Sequence, residues 1–402
     1  MQNEITRYER TGKKGVWGQL ASLFVSAVGA FMLSLLLTHF IIGKAAAWSP
    51  TQMARSCFRF PEKPTVPSRE DAAQIMLSAV FFGSDALYFD DGEENTGLTE
   101  PPIAPSEGKD EDTPQSPLTQ PWQGTDIYAF DRSLVPNGQT AIVPFDLTYG
   151  SKSGEILFSN ATAYEISAGE ALAAPYPIST DLDVHSKDEP LVLIIHTHGT
   201  ESYSPSGALY TSPSALQRSA DTSKNMIAVG AVMTELLCDA GIPTLHCETM
   251  HDLNSYTRSY NLAADTIQKY LQQYPSIKYV FDVHRDAIVR TNGDLIRPVT
   301  VINGEVAAQI MLLVGTDEMG ADHSEWRDNL SVAVQLQSRL TTSYTRFARP
   351  INVRGASFNE QFTKGSLLIE IGSAANSLGE AKTAAKYLTY SIIDMIRDFE
   401  VE

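Results

Sequence analysis

The stretch PLVLIIHTHGTESYSP, residues 190–205, decides how the rest of the chain is read. Its first half is an unbroken apolar run, the pattern of a strand covered on both faces. The run ends on His196-Thr-His198-Gly-Thr-Glu201, so reactive side chains cluster where a strand should give way to a loop. Two later stretches repeat the arrangement. KYVFDVH (278–284) runs into Arg285 and Asp286, and SLLIEIG (366–372) carries Glu370 near its end. PTLHCE (243–248) and QIMLLVG (309–315) add two more strands. Helical periodicity fills the gaps at 223–240, 255–273 and 326–340. A last helix follows Ser377-Leu-Gly-Glu380, a capping-box pattern in which each side chain bonds the other's backbone N–H. Strands alternating with helices mean an α/β domain on a mostly parallel sheet with flanking helices, placed at residues 189–402.

In such a sheet, sites form at the carboxyl ends of strands. His198 and Glu201, three residues apart with a glycine between them, can reach one cation, and His284 at a second strand end is the natural third ligand. This His₂Glu set suits Zn²⁺, which takes nitrogen and oxygen ligands and keeps a place for water. His196 is the alternative ligand or a group that orients one, because residues i and i+2 share a face if the strand continues. Glu370 ends an apolar strand, where a carboxylate serves either as general base or as partner of a buried arginine. Arg285 is a candidate for stabilising an oxyanion and equally for pairing with Asp282, Asp286 or Asp221. Tyr203, Asn225, Asn329 and Asn376 are weaker candidates for substrate contacts, with helix capping the competing role of Asn376. A metal-free polar core is the plain alternative for the whole set. His246 and His251 read as ordinary surface or core residues, and Cys238 and Cys247 as small hydrophobes.

Upstream the chain changes character three times. Residues 15–43 contain no charged side chain and include SLFVSAVGAFMLSLLLTHFII, long enough to span a bilayer. Arg7, Arg10, Lys13 and Lys14 precede it, against Glu4 and Glu9. That cationic flank predicts a cytoplasmic tail (1–14), an uncleaved anchor (15–43) and an extracytoplasmic remainder, a cleaved signal peptide being the rival. Residues 44–88 read as a juxtamembrane segment. In 89–125, nine carboxylates face one lysine between positions 90 and 112, and six prolines follow from 101 to 121. Such a stretch cannot bury enough apolar surface to offset its ordering entropy, so it reads as a disordered, acidic, Pro-rich linker. Residues 126–188, with TAIVPFDL and EILFSNATAYEI, read as a small β-rich module or an extension of the next domain.

The chain of 402 residues has 48 acidic and 30 basic side chains, for a net charge of −18. That balance speaks against nucleic acid, whose binding needs a basic surface. Three cysteines in a chain this long make no closed disulfide framework.

Together, HTHGTESYSP, the segment from Arg218 to Asn225, MHDLNSYTRSYNLA, FDVHRDA and LLIEIGSAANSLGEA resemble the stage II sporulation protein P family. The resemblance covers about residues 150–402 and the layout of anchor and spacer. It implies a membrane-anchored peptidoglycan hydrolase of forespore engulfment, related to zinc-dependent N-acetylmuramoyl-L-alanine amidases and also credited with cutting peptide cross-links. It implies as partners a lytic transglycosylase of the stage II sporulation protein D type and a membrane protein of the M type. On this chain the family's metal positions fall on the His-Thr-His…Glu string and His284, and its catalytic carboxylate on Glu370. The competing expectations are a catalytically silent wall-binding scaffold and a zinc carboxypeptidase-like protease.

Overall fold

The computed structural model describes residues 88–89, 126–182, 189–215 and 217–400. The expected cytoplasmic tail, anchor, nearly all of the juxtamembrane segment and nearly all of the acidic linker lie outside them. Among the described residues no helix is long and apolar enough to cross a membrane. The described residues belong to one compact unit, Cys57–Glu402.

Thirteen strands and five α-helices make up these residues. In chain order they are β1 (Tyr88–Phe89), β2 (Thr140–Phe145), β3 (Phe158–Asn160), α1 (Ala168–Ala173), β4 (Val192–Ile195), β5 (Tyr210–Thr211), α2 (Met226–Asp239), β6 (Thr244–His246), α3 (Ser259–Gln273), β7 (Tyr279–Asp286), β8 (Val289–Arg290), β9 (Leu295–Ile302), β10 (Glu305–Ala308), β11 (Ile310–Gly315), α4 (Trp326–Ser343), β12 (Ile351–Arg354), β13 (Gly365–Ser373) and α5 (Leu378–Asp398). The main sheet has seven strands in the order β3-β12-β11-β13-β7-β4-β6. Every pairing in it is parallel except β11 with β13. All eight residues of β7 and all nine of β13 are buried, as expected of strands at a sheet centre, and this burial includes their ionisable residues Asp282, His284, Arg285, Asp286 and Glu370.

Helices cover both faces. One face packs Val192, Ile194, Phe281, Val283, Ile369 and Ile371 against α2, α4 and α5. On α5, Ala381, Ala384, Ala385, Leu388, Ile392, Met395 and Ile396 are buried at helical spacing, and the expected capping box of Ser377 and Glu380 is formed. The other face packs Leu193, Ile195 and Val280 against Ala263 and Ile267 of α3.

Residues 126–182 do not stand as a module of their own. β2 pairs in parallel with β9, across about 150 residues of chain, and β3 extends the main sheet beside β12. β2 and β9 belong to a second sheet with β1, β5, β8 and β10, over a small core of Ala141, Val143, Leu147, Ile288 and Ile296. β2 and β3 both pair outward with the C-terminal half and not with each other.

Candidate active site

β13, β7 and β4 are neighbours in the sheet, so their carboxyl ends bring Glu370, His284 and the His196–Glu201 segment to one edge. Glu370 pairs in register with His284, and neighbouring residues in a parallel pair point to the same face. Immediately beyond Glu370 the register slips by one residue before Ser373 meets Asp286. Gly372, at φ +67°, supplies the left-handed backbone of this bulge. A side chain there would meet Asn376 and Ala308 within 3 Å. The bulge interrupts the strand pairing directly behind the carboxylate.

His198 stacks on Tyr256, 4.4 Å between ring centroids, and meets the edge of His284 at 5.3 Å. His284 Nδ1 lies 3.8 Å from Glu201 Oε2. Its Nε2 lies 2.9 Å from Asp282 Oδ1 but off the axis of a directed hydrogen bond, so charge carries that contact. His198 Nδ1 is buried without a hydrogen-bond partner and faces Asp252 Oδ2 at 3.9 Å. Glu370 Oε2 is likewise buried and unpartnered.

Charge in this cluster is out of balance. Burial raises Glu370 well above the usual carboxylate range, Asp286 and Glu201 push the same way, and His284 opposes them. Glu201 is raised by burial too, against the pull of Arg285, His284 and Arg218. Burial alone would depress His284, but Asp282, Glu201 and Glu370 around it lift it to about 10. Burial, with His284, Arg218 and Arg285 nearby, holds His198 well below its ordinary value. Carboxyls concentrated on one imidazolium are the signature of a site suited to added positive charge.

His196 goes elsewhere. β4 stops at Ile195, so His196 stays on the α2 face, where its Nδ1 meets Val283 O at 2.8 Å and its Nε2 meets His246 Nε2 at 2.9 Å. Burial depresses it to about 4. The following turn carries His198 over to the α3 face, where Asp282 and His284 point. His251 bonds His196 O and Thr266, which makes His246 and His251 satisfied core residues.

Four of the residues singled out in the sequence serve the scaffold. Arg285 alternates with His284 and so points to the other face of β7. Its Nε and Nη2 donate to Ser202 O and Gln217 O, and Nη1 stands 3.8 Å from Glu201 Oε1. It pairs with none of the three aspartates considered for it, since Asp286 binds Arg349, Asp221 binds Lys224 and Asp282 binds Thr197. Through those donors Arg285 holds the loop after Glu201. Asn225 caps α2 through Ile227 N and donates to Ser219 O. Asn329, buried in α4, donates to the Thr363 and Ser366 carbonyls. Tyr203 donates to Ile371 O. None of these three offers a free group to a substrate.

Sequence reasoning missed Asp252, Tyr256 and Tyr260. Tyr260 meets His198 edge-on at 5.6 Å and lies nearly parallel to His284. The signal was the string MHDLNSYTRSYNLA, in which Asp252, Tyr256 and Tyr260 recur at helical spacing just before and into α3.

His198, Glu201 and His284 are ligand types that Zn²⁺ accepts. Asp282 lies 2.9 Å from His284 Nε2, and Asp252 lies 3.9 Å from His198 Nδ1. Among the described residues no group of three or more His, Cys, Asp or Glu is placed to hold a metal ion.

Comparison with solved structures aligns half of this chain with amidases of low identity. The apo form of the N-acetylmuramyl-L-alanine amidase Ami1 from Mycobacterium abscessus is 12% identical, and the alignment covers 52% of this chain and 98% of that one at a TM-score of 0.31. The CwlD amidase from Clostridioides difficile, solved in complex with the GerS lipoprotein, is 13% identical with 52% and 98% covered at 0.30. Among curated proteins, the stage II sporulation protein P of Bacillus subtilis (strain 168) is 26% identical over 224 residues, 53% of either chain. This chain thus spans about half the length of that relative. The family model described as stage II sporulation protein P matches residues 151–393, more than half of the chain. The chain belongs to the stage II sporulation protein P family.

Proposed function

We propose that this chain is a peptidoglycan hydrolase that cleaves the amide between the muramoyl group and L-alanine, and peptide cross-links as well, during engulfment of the forespore. The observation that carries the reading is the edge that gathers His198, Glu201 and His284 beside the buried, unpartnered Oε2 of Glu370. His198, Glu201 and His284 hold a Zn²⁺ ion. That ion, when bound, supplies a polarised carbonyl and a water whose pKa falls to about 7. Glu370 takes the proton of the attacking water and returns it to the departing amine. Burial favours this exchange, because a carboxyl raised above its usual range accepts a proton more readily than an ordinary one. Tyr256 and Tyr260 wall the two imidazoles and limit access of bulk water.

On this reading residues 15–43 anchor the chain, the acidic linker is a spacer, and the catalytic domain works outside the membrane. A lytic transglycosylase of the D type and a membrane protein of the M type work beside it.

The test uses the 402-residue chain in detergent, with zinc content and the fragments released from purified peptidoglycan as readouts. Glu370→Gln is expected to keep its zinc and lose roughly 10²–10⁴-fold in rate, the usual worth of a general base. His284→Ala is expected to lose zinc and activity together. Full activity in both variants refutes the site. Sacculus binding without soluble products or zinc would instead make the chain a silent scaffold, and cleavage of an unrelated peptide panel would make it a general protease.

A further inference from the structure

The edge that carries His284 and Glu370 continues past β13. Arg349, just before β12, donates Nη2 to Asp286 Oδ2 at 2.8 Å, and both side chains are buried. Asp286 ends β7, two residues after His284, and β13 and β11 stand between β7 and β12 in the sheet. The ion pair therefore reaches across the end of β13, the strand of Glu370. Tyr149 is the exposed neighbour of this pair. Burial raises its hydroxyl and the Arg349 guanidinium pulls it back, yet 64% of the residue is open to solvent.

Tyr149 is held in a costly conformation. Ser151 N donates to Thr148 O at 3.0 Å, and Tyr149 and Gly150 between them have φ +53° and +69°. Positive φ at both central residues makes a type I′ turn, whose first central position favours Asn, Asp or Gly. A bulky residue there is an outlier, and such outliers collect at active sites and ligand clamps. The surroundings hold it firmly. Asp146 Oδ1 accepts from Thr148 N at 2.9 Å and from Thr148 Oγ1 at 2.7 Å. Gln309, fully buried, accepts from Leu147 N through Oε1 and donates Nε2 to Asp146 Oδ1 and Arg346 O, each at 2.8 Å. Its own carbonyl accepts from Gly372 N at 2.9 Å, and Gly372 forms the bulge behind Glu370. One glutamine thus ties the turn to the strand of the carboxylate. Arg346, also at positive φ (+56°), flanks the turn with Nε 3.5 Å from Asp146 Oδ2.

We propose that Tyr149 is a substrate-binding platform on which a sugar ring of the glycan strand stacks while the attached peptide reaches Glu370. The inference rests on the peptidoglycan reading above and needs no metal ion. The face of an aromatic ring carries negative charge and attracts the C–H hydrogens that line a pyranose face. Arg346 and Asp146 beside the ring supply a donor and an acceptor for sugar hydroxyls. A contact held at a fixed distance from the reacting bond orients the unit to be cut.

The test uses the 402-residue chain in detergent, with purified sacculi and a soluble tetramer of N-acetylglucosamine as probes. Tyr149→Asn removes the ring and suits the turn. It is expected to raise the urea midpoint while weakening binding to both probes roughly 3–10-fold, the worth of one aromatic contact. Tyr149→Phe and Tyr149→Trp, which keep a ring, are expected to bind like the parent. Parent-like binding by Tyr149→Asn overturns the proposal, as does a parent that ignores the tetramer. A urea midpoint no higher in Tyr149→Asn removes the strain that singles this residue out and counts against the proposal as well. Fragment release from sacculi with an unchanged KM in Tyr149→Asn sinks the platform and leaves the hydrolase reading standing. Retention on sacculi that requires the Tyr149 ring, without release of fragments, removes the hydrolase reading and keeps the platform.

Discussion

At the scale of single residues, Gly230 shows how the histidine pair constrains a helix. Glycine inside a helix ordinarily costs about 1 kcal/mol against alanine, so Gly→Ala in α2 should stabilise the chain on propensity alone. Here a Cβ would stand 2.5 Å from His196 Nε2 and 2.6 Å from His246 Nε2. Both imidazoles are buried and held by backbone or by one another, so neither can retreat. Gly230→Ala is therefore expected to destabilise by about 1–3 kcal/mol, the usual cost of overpacking. Urea denaturation reads the sign directly, and a raised midpoint would refute the packing argument. The same residues show what local sequence could and could not disclose. His198, Glu201, His284 and Glu370 stood out because each follows an apolar run at a strand end. That His196 and His198 part company depended on β4 stopping at Ile195, so that the strand does not continue to carry both on one face. Arg285, adjacent to His284, points to the opposite face of the strand by parity alone.

Among elements, the central strands were readable because burial on both faces gives β4, β7 and β13 runs of consecutive apolar residues. β9 was not, because Leu295–Ile302 carries Arg297 and Pro298, and its half-buried pattern resembles a loop with a proline. Tyr279 at the start of β7 gives this scale its prediction. Its hydroxyl lies 3.2 Å from that of Tyr176, whose ring stacks on Phe399 after α5. Burial pushes the Tyr279 hydroxyl up to about 12 from an ordinary 10, and burial raises Tyr176 as well. A folded pKa above the unfolded one means that stability is fully present below pH 10 and is lost as pH rises toward 12. Alkaline unfolding in that window is expected to be less steep in Tyr279→Phe than in the parent. Equal slopes in circular-dichroism titrations would exclude the tyrosine pair as its cause.

For the molecule as a whole, the boundary of the folded unit follows from which chain segments supply which sheet edges. Apolar alternation in residues 140–147 announced a strand but could not announce its partner, because β2 pairs with β9 far along the chain and local patterns carry no information on such pairings. A domain cut at residue 189, where the reactive strand ends begin, looks complete in sequence. It would lack β3, which covers the edge of the main sheet beside β12, and Ala141, Val143 and Leu147, which fill the core of the second sheet. It would also lack Tyr176 against Tyr279, and Ala171 O, which accepts from Ser331 of α4. Two bare strand edges and an opened apolar core are a template for association. A fragment of residues 126–402 is therefore expected to fold as a monomer with a cooperative thermal transition. A fragment of 189–402 is expected to be insoluble or to lose that transition. Size-exclusion chromatography and calorimetry decide the matter. A monomeric 189–402 fragment melting with the longer one would mean that β2 and β3 merely decorate the catalytic domain.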